Sequence, residues 1–286
     1  MSEHGFKHVG VIGAGQMGSG IAQVCATHGL IVTLIDQDAA QTVKAKAQIR
    51  ASLEKLEAKN VIQAGTMVAA MERLSVATDL AALKDADLVI EAVVENEPLK
   101  SKLLAQADQL TRRETILASN TSSIPITRLG AATTRPGQVI GMHFMNPVPL
   151  MRLIEVIPGM ATTPLTTNRI LALCQALGKE VSRSQDYPGF IVNRILMPMI
   201  NEAFTALMEG IASAEDIDKG MQLGTNQPMG PLHLADFIGL DTCLAIMEVL
   251  HEGLGDPRYR PSPLLRKYVE AGFLGRKRQR GVFTYT

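Results

Sequence analysis

Residues 8–18 read H-V-G-V-I-G-A-G-Q-M-G, an apolar run that breaks into glycines. Two readings compete: a tight turn after a strand, or a cradle for a nucleotide. The G-x-G-x-x-G pattern filled by Gly13, Gly15 and Gly18 is loose, so its context has to decide. H-V-G-V-I-G (8–13) has the composition of a strand, and M-G-S-G-I-A-Q-V-C-A-T-H-G (17–29) that of a helix. The next apolar run, L-I-V-T-L-I-D (30–36), ends in Asp36, 18 residues past Gly18.

That context favours the cradle, and each position has a physical role. Gly13 permits the tight turn, Gly15 lets the backbone approach a pyrophosphate, and Gly18 allows helix and strand to pack closely. The N–H groups at the helix start, around Gln16 and Met17, meet the phosphates. Asp36 accepts hydrogen bonds from ribose hydroxyls and repels a 2′-phosphate, which favours NAD over NADP. A glycine turn made for backbone reasons alone stays the lesser reading.

At 286 residues the chain is long enough for one large domain or two ordinary ones. Hydrophobic residues at 46% and charged residues at 20% argue against disorder. Lys+Arg and Asp+Glu balance at 28 each, which argues against a general attraction to nucleic acid or anionic membrane and leaves room only for a local basic patch. Cys25, Cys174 and Cys243 are odd in number and far apart, which suits reduced thiols and no metal site. The first apolar run is too short for a signal h-region or a membrane span. These features predict a soluble, cytoplasmic protein.

Outward from the glycine loop, β-rich and helical runs alternate. A long amphipathic stretch covers 39–59, followed by strand candidates at 87–93, 115–119 and 138–144 with a helix at 98–110 between the first two. R-L-I-E-V-I (152–157) reads as a last strand before a helix at 164–177. This alternation predicts a mostly parallel sheet covered on both faces, an α/β domain of Rossmann type. After Q-D-Y-P-G-F (185–190) the strands stop. The boundary is placed at Asp186, with an NAD-binding domain over 1–186 and an all-α domain over 187–286. Residues 189–210 predict one long helix, apolar on most of its circumference and therefore buried in a core or an interface. S-A-E-D (213–216) starts another helix, and further helices cover 230–252 and 262–271.

A bound dinucleotide implies hydride transfer, and a proton must move with it; histidine is the natural carrier. Of six histidines, only His143 lies at the C-terminal end of a predicted parallel strand, where ligands of open α/β sheets bind. Glu155 sits between Ile154 and Val156. It is either the polar face of an alternating strand or the partner that orients His143 and stabilises its protonated form. S-N-T-S-S (119–123) is either a helix-capping cluster or a set of hydroxyls near the nicotinamide that hold a substrate oxygen. Asn193, among apolar neighbours, either bonds backbone freed by Pro198 or faces substrate.

Taken together, G-A-G-Q-M-G, E-A-V-V-E-N, S-N-T-S-S, H-F-M-N-P-V, L-I-E-V-I, P-G-F-I-V-N-R and P-M-G-P (228–231) stand in one order from Lys7 to the C-terminus. In this the chain resembles the short-chain L-3-hydroxyacyl-CoA dehydrogenases, the bacterial 3-hydroxybutyryl-CoA branch above all. The resemblance implies His143 as general acid/base and Glu155 as its partner. It implies that Ser122 and Asn193 position the C3 oxygen of an acyl-CoA substrate, with Asn120 and Asn146 at the cofactor. Glu95 and Lys100 match positions lining the cofactor site, and Ser52 and Lys59 match positions that contact CoA. Lys59 reads equally well as a solvated helix end. The implied reaction is hydride transfer between C3 of an L-3-hydroxyacyl-CoA and NAD, in a homodimer joined through the helical domain.

Two departures from the family pattern stand out. The usual Lys-(Thr/Ser)-Gly-x-Gly-Phe-Tyr tail is replaced by R-K-R-Q-R-G-V-F-T-Y (276–285), and Gln227 stands where relatives often carry His. The tail change bears on packing or on the subunit contact, and neither change removes a catalytic group. A dehydrogenase of free hydroxy acids and a catalytically vestigial NAD-binding protein are the alternatives.

Overall fold

The computed structural model describes residues 4–285 and divides into two compact units, one running to Tyr187 and one starting at Pro188. The first unit strings together β1 (His8–Ile12), α1 (Gln16–Thr27), β2 (Ile31–Ile35), α2 (Ala39–Ala58), α3 (Thr66–Arg73), β3 (Leu74–Ala77) and β4 (Leu88–Glu91). It continues through α4 (Glu97–Leu110), β5 (Ile116–Ser119), α5 (Ile126–Ala131), β6 (Val139–Phe144), β7 (Leu153–Pro158), α6 (Pro164–Ala176) and β8 (Glu180–Arg183).

The eight strands form one sheet in the order β3-β2-β1-β4-β5-β6-β7-β8. Pairing is parallel from β3 to β6, antiparallel between β6 and β7, and parallel again between β7 and β8. This is a doubly wound sheet of Rossmann type. Its strand order reverses between β1 and β4, so the glycine loop after β1 lies at the topological switch point, where such sheets bind ligands. The central strands are continuous apolar runs because both of their faces are covered: Val9, Val11, Val32, Leu34, Leu88 and Ile90 are fully buried. Each such side chain contributes about 1.5–3 kcal/mol relative to exposure.

Local signals start the helices. The side chains of Asp38, Asn96 and Thr163 accept from the backbone N–H groups of Ala40, Leu99 and Thr166 at the starts of α2, α4 and α6. A cap of this kind contributes about 1 kcal/mol.

The structure adds two strands to those expected. β3 and β8 are four-residue edge strands, and β8 is half exposed, so neither carries a distinct apolar run. β7 is therefore not the last strand. The expected strand 87–93 stops at Glu91, where the chain turns back and the Val93 N–H donates to the Glu91 carboxylate.

The second unit is helical: α7 (Val192–Met208), α8 (Ala214–Gly224), α9 (Pro231–Ile238), α10 (Leu240–Leu254) and α11 (Pro263–Glu270). Phe204, Leu232, Met247 and Leu250 centre its core. The helix expected from 189 starts at Val192 because Gly189 and Phe190 adopt positive φ, +74° and +49°. Within the single chain its Ile195 side chain is 68% exposed. The helix expected over 230–252 is two helices, broken at Gly239 with φ +104°. Ser213 caps α8, as its S-A-E-D signal predicts. The atypical tail is held by buried Asp236, whose carboxylate accepts from Val282 N, Phe283 N and Tyr285 Oη, each at 2.9 Å. Gln279 takes the positive φ (+57°) that glycine adopts without strain. Gln227 contacts the Met199 sulfur at 3.5 Å.

Candidate active site

The glycine loop is built by close approach. Gly13 (φ +101°) donates to the Ile35 carbonyl at 2.7 Å, tying the end of β1 to that of β2. A Cβ on Gly18 would lie 1.7 Å from the Gly13 carbonyl oxygen, so only glycine lets α1 start here. A Cβ on Gly15 would meet nothing within 4 Å, which is the open space a pyrophosphate needs above the helix N-terminus. Asp36, at the end of β2, accepts from Ala14 N at 2.8 Å and Asp38 N at 3.1 Å. Its carboxylate is thereby aimed into the loop. Gln41, which carries no motif signal in the sequence, braces the same loop by donating to the Ala14 carbonyl at 2.9 Å. This cradle fits a dinucleotide. Within it the Met17 side chain packs against the core and Gln16 is exposed.

His143 lies at the C-terminal end of β6. Because β7 runs antiparallel to β6, its early residues return beside that end, and the register sets His143 opposite Glu155. Nδ1 of His143 and Oε2 of Glu155 are 2.8 Å apart. Glu155 is completely buried, as are Ile154 and Val156 on either side, so it does not belong to a solvated polar face. A carboxylate taken out of water at this cost must be paired and hydrogen-bonded, and the imidazole supplies that partner. With Nδ1–H donated to Glu155, the ring is held in one tautomer and one orientation.

S-N-T-S-S leaves β5 beside β6. The Asn120 side chain accepts from Phe144 N at 2.8 Å, which ties this loop to the residue after His143. The hydroxyl cluster does not cap α5, whose first N–H groups, at Ile126 and Thr127, donate to Asp186, each at 2.7 Å. The loop is held instead by Glu95, which accepts from Ser122 N and Ser123 N at 3.1 Å each and from Ser123 Oγ at 2.8 Å. Thr121 Oγ1 donates to the same oxygen. Gln16 donates to the Asn146 side chain at 3.0 Å, which joins the glycine loop to the turn after β6.

Burial would raise the Glu95 carboxyl. The Lys100 ammonium and the donors from Thr121, Ser123 and Ser122 outweigh it and hold its pKa below the usual carboxylate range. Lys100 is itself buried, 1% exposed, and is bound by Glu91 at 2.8 and 3.0 Å. Its ammonium is therefore enclosed by protein groups. Glu91, which opens E-A-V-V-E-N and reads in the sequence as an ordinary strand-end residue, shares a 2.6 Å hydrogen bond with Ser119, the first hydroxyl of S-N-T-S-S.

Ser52 and Lys59 lie on α2, roughly 20 and 30 Å along the helix from its N-cap at 1.5 Å per residue. Lys59 is exposed at the C-cap of that helix. Asn193 is buried near the start of α7 in the second unit. Among the described residues no cluster of metal-ligating side chains occurs, and no helix is long and apolar enough to cross a membrane.

Residues 8–187 match the family model of the 3-hydroxyacyl-CoA dehydrogenase NAD binding domain, and residues 189–285 match that of the C-terminal domain. A protein of Deinococcus radiodurans described as a probable 3-hydroxybutyryl-CoA dehydrogenase is 55% identical, covering 96% of this chain and 99% of its own. The 3-hydroxybutyryl-CoA dehydrogenase of Bradyrhizobium diazoefficiens is 54% identical, covering 98% of this chain and 95% of its own. The crystal structure of (S)-3-hydroxybutyryl-CoA dehydrogenase from Ralstonia eutropha superposes with a TM-score of 0.95 at 50% identity, covering 98% of this chain and 99% of the other.

Proposed function

The chain belongs to the 3-hydroxyacyl-CoA dehydrogenase family, and on that premise we propose that it interconverts L-3-hydroxybutyryl-CoA and acetoacetyl-CoA with NAD. The observation that carries the chemistry is the buried His143–Glu155 pair at the end of β6, in the sheet whose switch point bears the glycine cradle. Gly13, Gly15, Gly18 and Asp36 would hold the cofactor, which when bound takes up or delivers hydride at C3 of the acyl chain.

The residues of the chain do the rest. Nδ1 of His143 is committed to Glu155, so the moving proton is assigned to Nε2. In oxidation Nε2 takes the C3 hydroxyl proton, and in reduction it returns it. Glu155 stabilises the imidazolium that forms between these events and prevents the ring from turning. Ser122 directs its hydroxyl at the same oxygen, keeping the reacting atoms in line. Asn193 is assigned a share of that oxygen through its P-G-F-I-V-N-R motif, with Asn120 and Asn146 supporting the cofactor side.

Ser52 and Lys59 are assigned to CoA on the family match alone. We further assign a homodimer formed through the helical domain, supported by the exposed apolar side chains of Ile195, Ile211 and Leu223. A cytoplasmic location accords with three free, buried thiols, and a place in fatty acid metabolism is assigned on the family match alone.

The test is NADH oxidation by the purified protein with acetoacetyl-CoA, a longer 3-ketoacyl-CoA and free acetoacetate, with NADPH as control. Fast turnover of acetoacetyl-CoA with NADH and little of acetoacetate is the expected result. Equal turnover of the free acid would remove CoA from the assignment.

A further inference from the structure

Two carboxylates and one ammonium group bind the ends of β4 and β5 together. Glu91 ends β4 and is fully buried; its Oε2 accepts from Ser119 Oγ, at the end of β5, at 2.6 Å. Lys100, reaching in from α4, binds both Glu91 oxygens and the Val93 carbonyl, and lies 3.4 Å from Oε2 of Glu95. Glu95 then spends its other oxygen on Thr121, Ser122 and Ser123, taking two backbone N–H groups and two hydroxyls. Four donors converging on one oxygen suit an anion, because hydrogen bonds to a charged acceptor are the stronger kind. Lys100 keeps that anion in place by sitting between it and Glu91. The bond at Ser122 is made by its own backbone N–H, so it fixes where the Ser122 side chain starts and leaves the hydroxyl unused by the clamp.

We infer that Glu95 is a positioning residue for Ser122: with Lys100 and Glu91 behind it, it sets the loop 121–123 at the end of β5 so that the Ser122 hydroxyl meets the substrate oxygen. This rests on the role proposed above for Ser122. It is a role of Oε1; Oε2 of Glu95, 3.4 Å from Lys100 Nζ, is not spent on the loop and stays with the family position that lines the cofactor site.

A double-mutant cycle on the full-length protein separates these roles. Glu95→Gln removes the charge while keeping the size, and should lower kcat for acetoacetyl-CoA reduction about ten- to a hundredfold, the cost of a misplaced group. Its Kd for NADH, followed by fluorescence, fixes the cofactor concentration at which kcat is read, so that any change in cofactor binding is kept apart from the change in kcat. In a Ser122→Ala background the same change should cost almost nothing further, since the group it positions is gone. A fully additive loss would overturn the proposal, as would a raised NADH Kd with kcat intact. Wild-type turnover in Ser122→Ala alone would instead reject the assigned role of Ser122, and the positioning role with it. Ser123→Ala, which removes one donor and leaves the carboxylate, should lower kcat about three- to tenfold. It serves as the second variant if Glu95→Gln fails to fold, and an unchanged kcat would then count against the clamp.

Discussion

His143 and Glu155 face each other in register across an antiparallel strand pair, with Nδ1 and Oε2 2.8 Å apart and the carboxylate sealed from solvent. The imidazole is thereby fixed from behind by a buried carboxylate. His143→Gln should lower turnover by about two to four orders of magnitude, the usual span for a general acid/base, while NADH still binds. Steady-state kinetics with NADH titration checks both parts, and unchanged turnover would remove His143 from the mechanism.

Asp36 is braced at Ala14 N and Asp38 N, so its carboxylate has one direction. Asp36→Asn should weaken NADH binding by about 1.5–3 kcal/mol, the range for hydrogen bonds to a charged group. It should also narrow the preference over NADPH by removing the charge that repels a 2′-phosphate. The ratio of kcat/KM for the two cofactors reads this directly.

Gly18 touches the Gly13 carbonyl where a Cβ cannot fit. Gly18→Ala must push α1 off β1 and should cost about 1–3 kcal/mol of stability, with loss of NADH binding. Gly15→Ala faces open space and should fold normally while impairing NADH binding alone. Thermal melts and cofactor titrations of the two variants should therefore diverge.

Asp87 sits at the start of the sheet, where burial would raise its carboxyl. The N–H groups of His8 and Lys7 and the Arg112 guanidinium together hold it below the usual value. A folded pKa below the unfolded one contributes stability above the unfolded value, and that contribution is lost as pH falls through the folded one. Asp87→Asn should therefore melt lower than wild type at neutral pH, with the gap closing below about pH 4. A gap that persists at pH 2 would rule out this linkage.

Asp236 takes three hydrogen bonds from the tail, and burial together with this carboxylate pushes the Tyr285 phenol up to about 12. Asp236→Ala leaves those donors unsatisfied at about 1–3 kcal/mol each where buried. The second unit should unfold several degrees lower, and protease should cleave after the 276–280 arginines and lysine sooner than in wild type.

What could be read from the sequence alone is what depends on near neighbours. The strand–glycine–helix order and Asp36 specify the cradle within 29 residues of chain, and Asp38, Asn96, Thr163 and Ser213 start their helices through bonds two or three residues away. Apolar runs without alternation announce central strands buried on both faces. Short edge strands carry no such run, which is why β3 and β8 were not legible. A single positive-φ glycine sufficed to divide 230–252, because periodicity continues across a break that only the backbone reveals.

The tertiary structure decided which polar groups meet. Glu155 lies twelve residues from His143, and it faces the ring only because β7 returns antiparallel. Glu95 reaches Ser122 across 27 residues, and Lys100 is buried because two carboxylates from different elements converge on it. A charged residue in a sequence reads as solvated by default, since burial of a charge costs several kcal/mol unless it is paired. Only the packed sheet supplies the partners that offset that cost.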